Sequence, residues 1–410
     1  MQQLEDLDLV HLAMEDDAFA DNPWPRFAEA RARHPWLAHS DQGWVINEYH
    51  AAKDILTLRD RLEEAGASVV ELMGAHGTPW GRFQIENIMA RDGAEHDRLR
   101  HAVASMFTPQ QAARFRPLMR ETIARLLDEW APKGKFDFQE FAARFPITVM
   151  CRIIGASAEE LPRLQHSLEV FGLSFCLDPD FLPELEKAMA VLDDFVIRLV
   201  AGRRVGQRLG PEPDLLDALI PATADGRLTD RELYDLLIFL FAAGYDTSKN
   251  VLTLVMCELI DRPALYTRCA EDLDWCREVI DEMVRFTSVS TLFRRVVKPF
   301  DYRGVHFPVG TKLVIAVSTL GRDPGAFDRA DEFLPGRERP NKHIGFGHGV
   351  HICLGQFIAR AQLEEGLHLI AQRLRNPRLT GPVHKRGFVG VWGLRNLPIA
   401  FEPSTTPVTA

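Results

Sequence analysis

The chain has 410 residues, of which 46% are hydrophobic and 26% are charged, and this composition is typical of a globular protein. Its formal net charge is −10, from 48 basic and 58 acidic residues. No basic block stands out, so we expect no nucleic-acid partner. The six cysteines form no C-x-x-C pair, which argues against a disulfide scaffold and fits a reducing, cytoplasmic setting.

A membrane segment is not expected either. Residues 1–17 mix acidic and apolar side chains and lack the basic start and apolar run of a signal peptide. The longest apolar region, residues 236–260, contains Asp246, Lys249 and Glu258. Because ionisable groups are costly inside a bilayer, this region is expected to be a buried helix and not a membrane span.

Helical periodicity dominates the first 260 residues of the chain. Residues 1–20 are expected to form a loosely attached N-terminal arm. Residues 66–91 are interrupted by glycines and are expected to be irregular, as functional loops of compact enzymes often are. A small hairpin is predicted at 36–39 and 43–46, and helices are predicted at about 25–33, 49–58, 93–107, 110–130, 138–153, 159–172 and 183–204.

Thr229 and Glu232 form a capping-box signature at the start of the longest helix, which is expected to run to about Asp261 and to cross the middle of the fold. Another helix is predicted at about 264–287, short strands at 294–297, 300–302, 305–307 and 312–318, and a final hairpin at 388–401. These patterns favour one mainly α domain with a small β region over residues 21–402, followed by a frayed tail at 403–410.

Cys353 follows a bend rich in glycine and precedes a helical repeat that begins at Leu354. Gly345, Gly347 and Gly349 leave little room for regular structure before it. At a helix N-terminus, free backbone N–H groups and the helix dipole favour a thiolate. A thiolate presented on a backbone loop suits a soft metal, above all haem iron.

Two other interpretations of this loop are open on the residues alone. His343, His348, His351 and Cys353 together suggest a zinc site, although the chain has no close cysteine pair to complete a structural one. The three glycines also resemble a phosphate loop, but residues 340–343 do not form the apolar strand that should precede such a loop.

The middle of the long helix carries Ala243-Gly-Tyr-Asp-Thr247. Burying an acid such as Asp246 in an apolar helix is costly. Thr247 can bond to the carbonyl one turn earlier, which often bends a helix, and Gly244 lets a ligand or another backbone approach closely. Tyr245 either packs away from this site or narrows it.

Two polar pairs lie at helical spacing elsewhere. Glu282 and Arg285 share one helix face, and so do His96 and Arg100. Taken alone, both pairs are most simply read as exposed, solvated charges.

Together these segments resemble the cytochrome P-450 family. The matching features are Phe346-Gly-x-Gly-x-x-x-Cys353-x-Gly355 with Ala359-Arg360, Ala243–Thr247, Glu282-x-x-Arg285, and Glu95-His-x-Arg-x-Arg100 with Phe107-Thr-Pro109. The cysteine segment is especially similar to the soluble bacterial camphor-hydroxylating members. The chain departs from the family in having Val289 where a proline often follows the Glu-x-x-Arg helix.

The resemblance implies a single-domain fold, a triangular helical prism around a buried haem. It makes Cys353 the axial thiolate ligand of heme b, with the backbone N–H groups of Leu354, Gly355 and Gln356 directed at the sulfur. Arg294 is the expected propionate-binding arginine of its segment, with Arg295 as the adjacent alternative. The cofactor-binding set that it implies is His96, Arg100, Ala243, Gly244, Arg294, Phe346, Gly347, His351, Cys353, Leu354 and Gly355.

The resemblance also assigns roles on the other side of the haem. Asp246 and Thr247 become catalytic residues that deliver protons during cleavage of O2. Glu282, Arg285 and Arg337 become a structural triad that supports the fold and the cysteine segment.

The implied reaction is insertion of one oxygen atom of O2 into a C–H bond. Electrons would come indirectly from NAD(P)H through a 2Fe-2S ferredoxin and its reductase, with docking near Arg98, Lys342 and Arg360, and the enzyme would be a monomer. A compact hydrophobe such as a terpenoid, a steroid or an aromatic compound is the expected substrate. The expected pocket residues are Phe175, Phe239, Ala243, Thr247, Ser290, Leu292, Val391 and Trp392.

Two other function classes are open from the sequence. A peroxide-dependent or isomerising haem-thiolate enzyme would not need Asp246 and Thr247. A non-enzymatic haem-binding sensor would share Cys353 but would show no turnover.

Overall fold

The computed structural model describes residues 1–172, 178–210, 212–338 and 341–404. Helices make up most of these ranges, because apolar residues recur there every three to four positions. They are α1 (Asp17–Asp21), α2 (Trp24–Arg33), α3 (Tyr49–Ile55), α4 (Gly66–Leu72), α5 (Pro79–Glu86), α6 (Gly93–Ala104), α7 (Pro109–Trp130), α8 (Phe138–Ile154), α9 (Leu161–Gly172), α10 (Leu182–Arg204), α11 (Leu215–Ala224), α12 (Asp230–Ile260), α13 (Pro263–Glu271), α14 (Leu273–Phe286), α15 (Val317–Leu320) and α16 (Gln356–Arg373).

The strands are short and lie mostly in the second half of the chain. They are β1 (Gln2–Gln3), β2 (Leu37–Ser40), β3 (Gly43–Ile46), β4 (Leu62–Glu64), β5 (Lys135–Asp137), β6 (Leu292–Val296), β7 (Phe300–Tyr302), β8 (Val305–Phe307), β9 (Lys312–Ile315), β10 (Leu374–Leu379) and β11 (Pro398–Pro403). The described strands form sheets of order β2-β3-β9-β6-β4, β10-β11-β5 and β1-β8-β7. The expected hairpin is the antiparallel pair β2–β3.

Helix α12 lies at the centre of the fold. It begins with a capping box in which the side chains of Thr229 and Glu232 each accept a hydrogen bond from the other residue's backbone N–H. The helix is buried over most of its circumference and packs against α8, α9, α10 and α16. In the described ranges, no helix is long and apolar enough to cross a membrane.

A buried ion-pair cluster ties α14 to the segment that leads into the cysteine loop (residues 343–355). Glu282 accepts hydrogen bonds from Arg285 at 2.7 and 2.9 Å and from Arg337 Nε at 3.0 Å. The side chains of Glu282 and Arg285 are fully buried. Arg285 also donates to the main-chain carbonyls of Gly321, Ala330 and Glu332. The three residues of the expected triad therefore come together, and they fix the approach to the cysteine loop.

Some elements differ from the sequence prediction. The segment expected to be irregular, 66–91, contains α4 and α5. The helix expected at 264–287 breaks at Asp272, because this side chain accepts a hydrogen bond from Trp275 N and caps a new helix, α14. The strand expected to reach 318 ends at Ile315, and α15 follows.

The two ends of the chain also differ from expectation. Residues 1–20 are not loosely attached, because β1 pairs with β8 and the side chains of Leu4, Leu12 and Met14 are buried. The final strand, β11, pairs with β10 and β5 and does not form a hairpin within 388–401. Apolar burial and strand pairing beyond the segment itself decide both cases.

Glu282→Ala removes the acceptor that Arg285 and Arg337 share, and it leaves two buried guanidinium groups without their counter-charge. We expect the free energy of unfolding to fall by about 3–5 kcal/mol, as for other broken buried pairs. Urea unfolding followed by tryptophan fluorescence measures this change. Glu332→Ala is the matched control, because it breaks an exposed pair with Arg329 and should leave the urea midpoint unchanged. Equal losses in the two variants would contradict the structural role of the cluster.

Candidate active site

A cavity of about 430 Å³ lies between α12 and the cysteine loop. Its lining is mainly apolar. Thr247 and Ala243 line it from α12, and Cys353 lines it from the loop. The cavity therefore has the two walls that the sequence motifs predicted, one carrying a sulfur and the other a hydroxyl group.

Glycines shape the cysteine loop. Gly347 and Gly349 have φ of +79° and +75°, a left-handed backbone that favours glycine. A Cβ on Gly345 would lie 2.5 Å from the carbonyl oxygen of Val284, so the loop packs directly on the backbone of α14. The Cys353 N–H then donates to the Phe346 carbonyl at 2.8 Å, which closes the loop and fixes the position of the sulfur.

The environment of Cys353 acts on the sulfur in two directions. Burial raises the pKa of the Cys353 thiol, whereas the N–H groups of Gly355 and Gln356 and the Arg100 guanidinium act to lower it. Burial prevails, so the start of α16 does not by itself give the thiolate that the sequence pattern suggested. A bound metal cation would supply the missing positive charge, because a coordinating thiol is deprotonated.

The zinc interpretation of the loop finds no support in the geometry. His343 lies 3.0 Å from Asp281 Oδ1, whereas His351 Nε2 lies 3.1 Å from Asp92 Oδ1, on a different element. Among the described residues, no three His, Cys, Asp or Glu side chains form a group able to hold a metal ion.

Helix α12 is drawn tightly against α8 beside the cavity. A Cβ on Gly244 would lie 2.8 Å from Met150 Sδ, so a larger residue at this position would displace the Met150 side chain. The Thr247 hydroxyl donates to the Ala243 carbonyl at 2.8 Å. That bond leaves the hydroxyl oxygen able to accept a hydrogen bond from the cavity side. Tyr245 is buried away from the cavity and donates to Glu169 at 2.9 Å.

Asp246 is held by two cations that sequence reasoning missed. Its carboxylate lies 2.9 Å from Lys249 Nζ and accepts from Arg386 Nη1 at 2.8 and 2.9 Å. Burial alone would raise the pKa of Asp246, but the two cations hold it below its ordinary value of 3.8. Lys249 stands one helical turn away and was detectable by its spacing. Arg386 is 140 residues away and left no local signal.

Basic side chains gather at one end of the cavity. The cavity lining includes His96, Arg100, Arg294 and His351, the residues expected to bind propionates. The rings of His96 and His351 lie 4.4 Å apart, and Arg100 donates to the Ile352 carbonyl at 2.6 Å. Burial lowers the pKa of His96, so the two arginines are the fixed cations at this end.

A carboxyl group that the sequence did not reveal lies among these cations. Glu64 lines the same cavity, and its Oε1 atom is 2.5 Å from Arg294 Nη1. Arg294 Nη1 also donates to the Phe293 carbonyl at 2.8 Å. The contact with Arg294 is an ion pair without hydrogen-bond geometry, so Glu64 Oε1 accepts no hydrogen bond from any residue in the described ranges.

The expected substrate-pocket residues divide into three groups. Phe239, Ala243, Thr247, Ser290, Leu292 and Val391 line the cavity. Trp392 does not: it is buried in a separate cluster and meets Trp24 edge-on at 5.6 Å. Because neighbouring side chains of an extended segment point to opposite sides, Val391 takes the cavity side and Trp392 is excluded from it. Phe175 lies outside the described residues.

Comparison with protein families gives one decisive match. The family model for cytochrome P-450 matches residues 74–278 and 271–377. The chain belongs to the cytochrome P-450 family.

Related proteins and solved structures agree with this assignment. The luteothin monooxygenase of Streptomyces thioluteus is 31% identical over 96% of each chain, and the mycinamicin IV hydroxylase/epoxidase of Micromonospora griseorubida is 31% identical over 86% of each. An epothilone D-bound cytochrome P-450 shares the fold, with a TM-score of 0.85 and 21% identity over 95% of this chain and 99% of that one. The family and its relatives make this chain a cytochrome P-450 monooxygenase.

The family implies haem held by a cysteine thiolate, and the residues of the cavity fit that group. Cys353 is the one sulfur-bearing residue in the cysteine loop. At the basic end, His351 Nδ1 is buried and makes no hydrogen bond to any described residue. Together with Arg100 and Arg294, it forms a donor set suited to the two haem propionates.

Asp246→Asn should destabilise this cytochrome P-450 at neutral pH, because it leaves the buried Lys249 and the partly buried Arg386 without a counter-charge. The expected loss in the free energy of unfolding is about 3–5 kcal/mol. Since the pKa of Asp246 is depressed in the folded state, its contribution is present above the ordinary aspartate pKa and is lost as the pH falls through the folded value. Urea unfolding from neutral pH to about pH 3 should therefore show the difference from wild type narrowing below about pH 4. A constant difference would contradict this account.

Proposed function

We propose that this monooxygenase inserts one atom of O2 into a C–H bond of an apolar small molecule held in the cavity. The observation that supports this most strongly is that Asp246, Thr247 and Cys353 line the same mainly apolar cavity. Haem bound through Cys353 would supply the centre at which O2 is reduced and cleaved, because a thiolate ligand favours O–O cleavage. The chain's own residues control protons, water and substrate around that centre.

Thr247 and Asp246 are the proposed proton-handling residues. Cleavage of the O–O bond needs protons delivered one at a time, with little bulk water nearby. The Thr247 hydroxyl can hold and pass a proton at Oγ1. Asp246 is a carboxylate between Lys249 and Arg386, so it can take up a proton only when one of these cations moves away. The Arg386 side chain is 18% exposed, so it links the Asp246 carboxylate to the solvent.

The substrate class follows from the wall opposite Cys353. Phe239, Leu292 and Val391 present apolar groups, with Ser290 among them. Burial of apolar area is the main source of affinity in such a pocket. We propose a compact hydrophobe such as a terpenoid, a steroid or an aromatic compound.

A ferredoxin of the 2Fe-2S type and its reductase are the proposed route for electrons from NAD(P)H. The proposed docking face surrounds the cysteine loop, where Lys342 is exposed and Phe357 is 39% exposed. Arg98 and Arg360, which we also expected there, form ion pairs with Glu232 and Asp281. Lys342 is therefore the more available charge for an acidic partner. We propose a monomer that works in the cytoplasm.

The first test is the spectrum of the purified protein. Wild type, reduced and exposed to CO, should show the strongly red-shifted band of a haem thiolate. Cys353→Ala should lose this band, because no other cysteine among the described residues lines the cavity. Cys257→Ala is the matched control, since this half-buried thiol does not line the cavity, and it should keep the band. A thiolate band in Cys353→Ala would overturn the proposed ligand. Low-spin to high-spin shifts with a compound library then identify the substrate class.

Thr247→Ala tests the monooxygenase reaction against a peroxide-dependent or isomerising one. Loss of the hydroxyl should lower the product formed per NADH consumed roughly tenfold or more, because proton delivery contributes at least that much. Thr247→Ser keeps the hydroxyl and should retain most of the coupling. Product yields that are equal in all three proteins would favour the alternative reaction classes.

A further inference from the structure

The carboxyl group of Glu64 is the unexplained feature of the cavity. It lies at the basic end, where the two haem propionates would bind. Glu64 ends β4 and stands directly opposite Arg294 on β6. Its neighbour Glu63 stands opposite Arg295 and pairs with it on the outer face, where the two side chains are 33% and 40% exposed. Adjacent strand positions thus give one surface pair and one cavity pair.

The charges that face Glu64 come from three elements. Arg294 approaches from β6, His351 from the cysteine loop, and Asp92 from the residue that precedes α6. Burial raises the pKa of Glu64, Arg294 and His351 act against this rise, and Asp92 adds to it. Burial prevails even before a propionate is present.

Charge balance decides what happens when haem binds. This end of the cavity offers two fixed cations, Arg100 and Arg294. It would then hold three carboxyl groups, Glu64 and the two propionates, because Asp92 is 38% exposed and pairs with His351. Carboxylates that share one site do not all ionise, and the one with the poorest solvation keeps a proton. Glu64 is the best candidate: its Oε1 atom lies 2.5 Å from Arg294 Nη1 but accepts no hydrogen bond from the described residues, and burial outweighs the effect of this arginine on its pKa.

We propose that Glu64 is a protonated carboxyl group that donates a hydrogen bond to a haem propionate. The proton comes from solvent and stays on the Glu64–propionate pair, so haem binding and proton binding favour each other. The proposal rests on the haem that the family implies. Its consequence is a haem affinity that falls as the pH rises and Glu64 ionises, because an anion then faces a propionate.

The test measures haem retention and not turnover. Haem loss from the ferric protein to excess apomyoglobin is followed from about pH 6 to pH 9 in wild type, Glu64→Gln and Glu63→Gln. Each unit by which haem binding raises the pKa of Glu64 makes a tenfold difference in haem affinity across its titration. We expect the rate of haem loss to rise about tenfold more with pH in wild type than in Glu64→Gln, whose amide donates without titrating. Glu63→Gln removes the same charge from the outer face and should behave as wild type.

The outcomes separate the proposal from the function on which it rests. The same pH dependence in wild type and Glu64→Gln overturns the proposal while leaving the haem site intact. If wild type and both variants all fail to bind one equivalent of haem, the haem site itself is overturned. Should Glu64→Gln not fold, infrared difference spectra of wild type with and without haem decide the matter. A protonated carboxyl band that shifts on ¹³C labelling of glutamate supports Glu64, and its absence overturns the proposal.

Discussion

A buried sulfur that has to carry a negative charge is the constraint on which the rest of this structure depends. Burial raises the pKa of the Cys353 thiol, and the N–H groups of Gly355 and Gln356 together with Arg100 only partly oppose that effect. The sulfur therefore has to be held in a fixed position, where a bound metal cation can stabilise the thiolate. The glycine turns of the cysteine loop and the buried cluster around Glu282 supply that rigidity, since both anchor the loop to α14.

The same requirement explains how charge is distributed around the cavity. The basic end carries Arg100 and Arg294, and the rest of the lining is mainly apolar. The charge of Asp246 on α12 is balanced by Lys249 and Arg386. These three charges are paired with one another, because an unpaired buried charge would cost several kcal/mol. Apolar surface is thereby left free for a substrate.

Much of this arrangement could be predicted from short-range patterns. The capping box located the start of α12, and the glycine and cysteine spacing located the loop, because both signals depend on residues a few positions apart. Pairings between distant segments could not be predicted, as the contacts of Arg386 with Asp246 and of Glu64 with Arg294 show. Trp392 was wrongly placed in the pocket. Alternation along an extended segment shows which side chains face the cavity only when the orientation of one neighbour is already known. The break at Asp272, by contrast, carried a capping signal that could have been read.

X-ray absorption at the iron edge of the haem-loaded ferric protein tests directly whether Cys353 is the haem ligand. We expect one sulfur atom in the first coordination shell of the iron in wild type, in addition to the porphyrin nitrogens. That sulfur should be absent in Cys353→Ser, where an oxygen atom replaces it. A first shell without sulfur in wild type, or a sulfur that persists in Cys353→Ser, would contradict the assignment of Cys353 as the haem ligand.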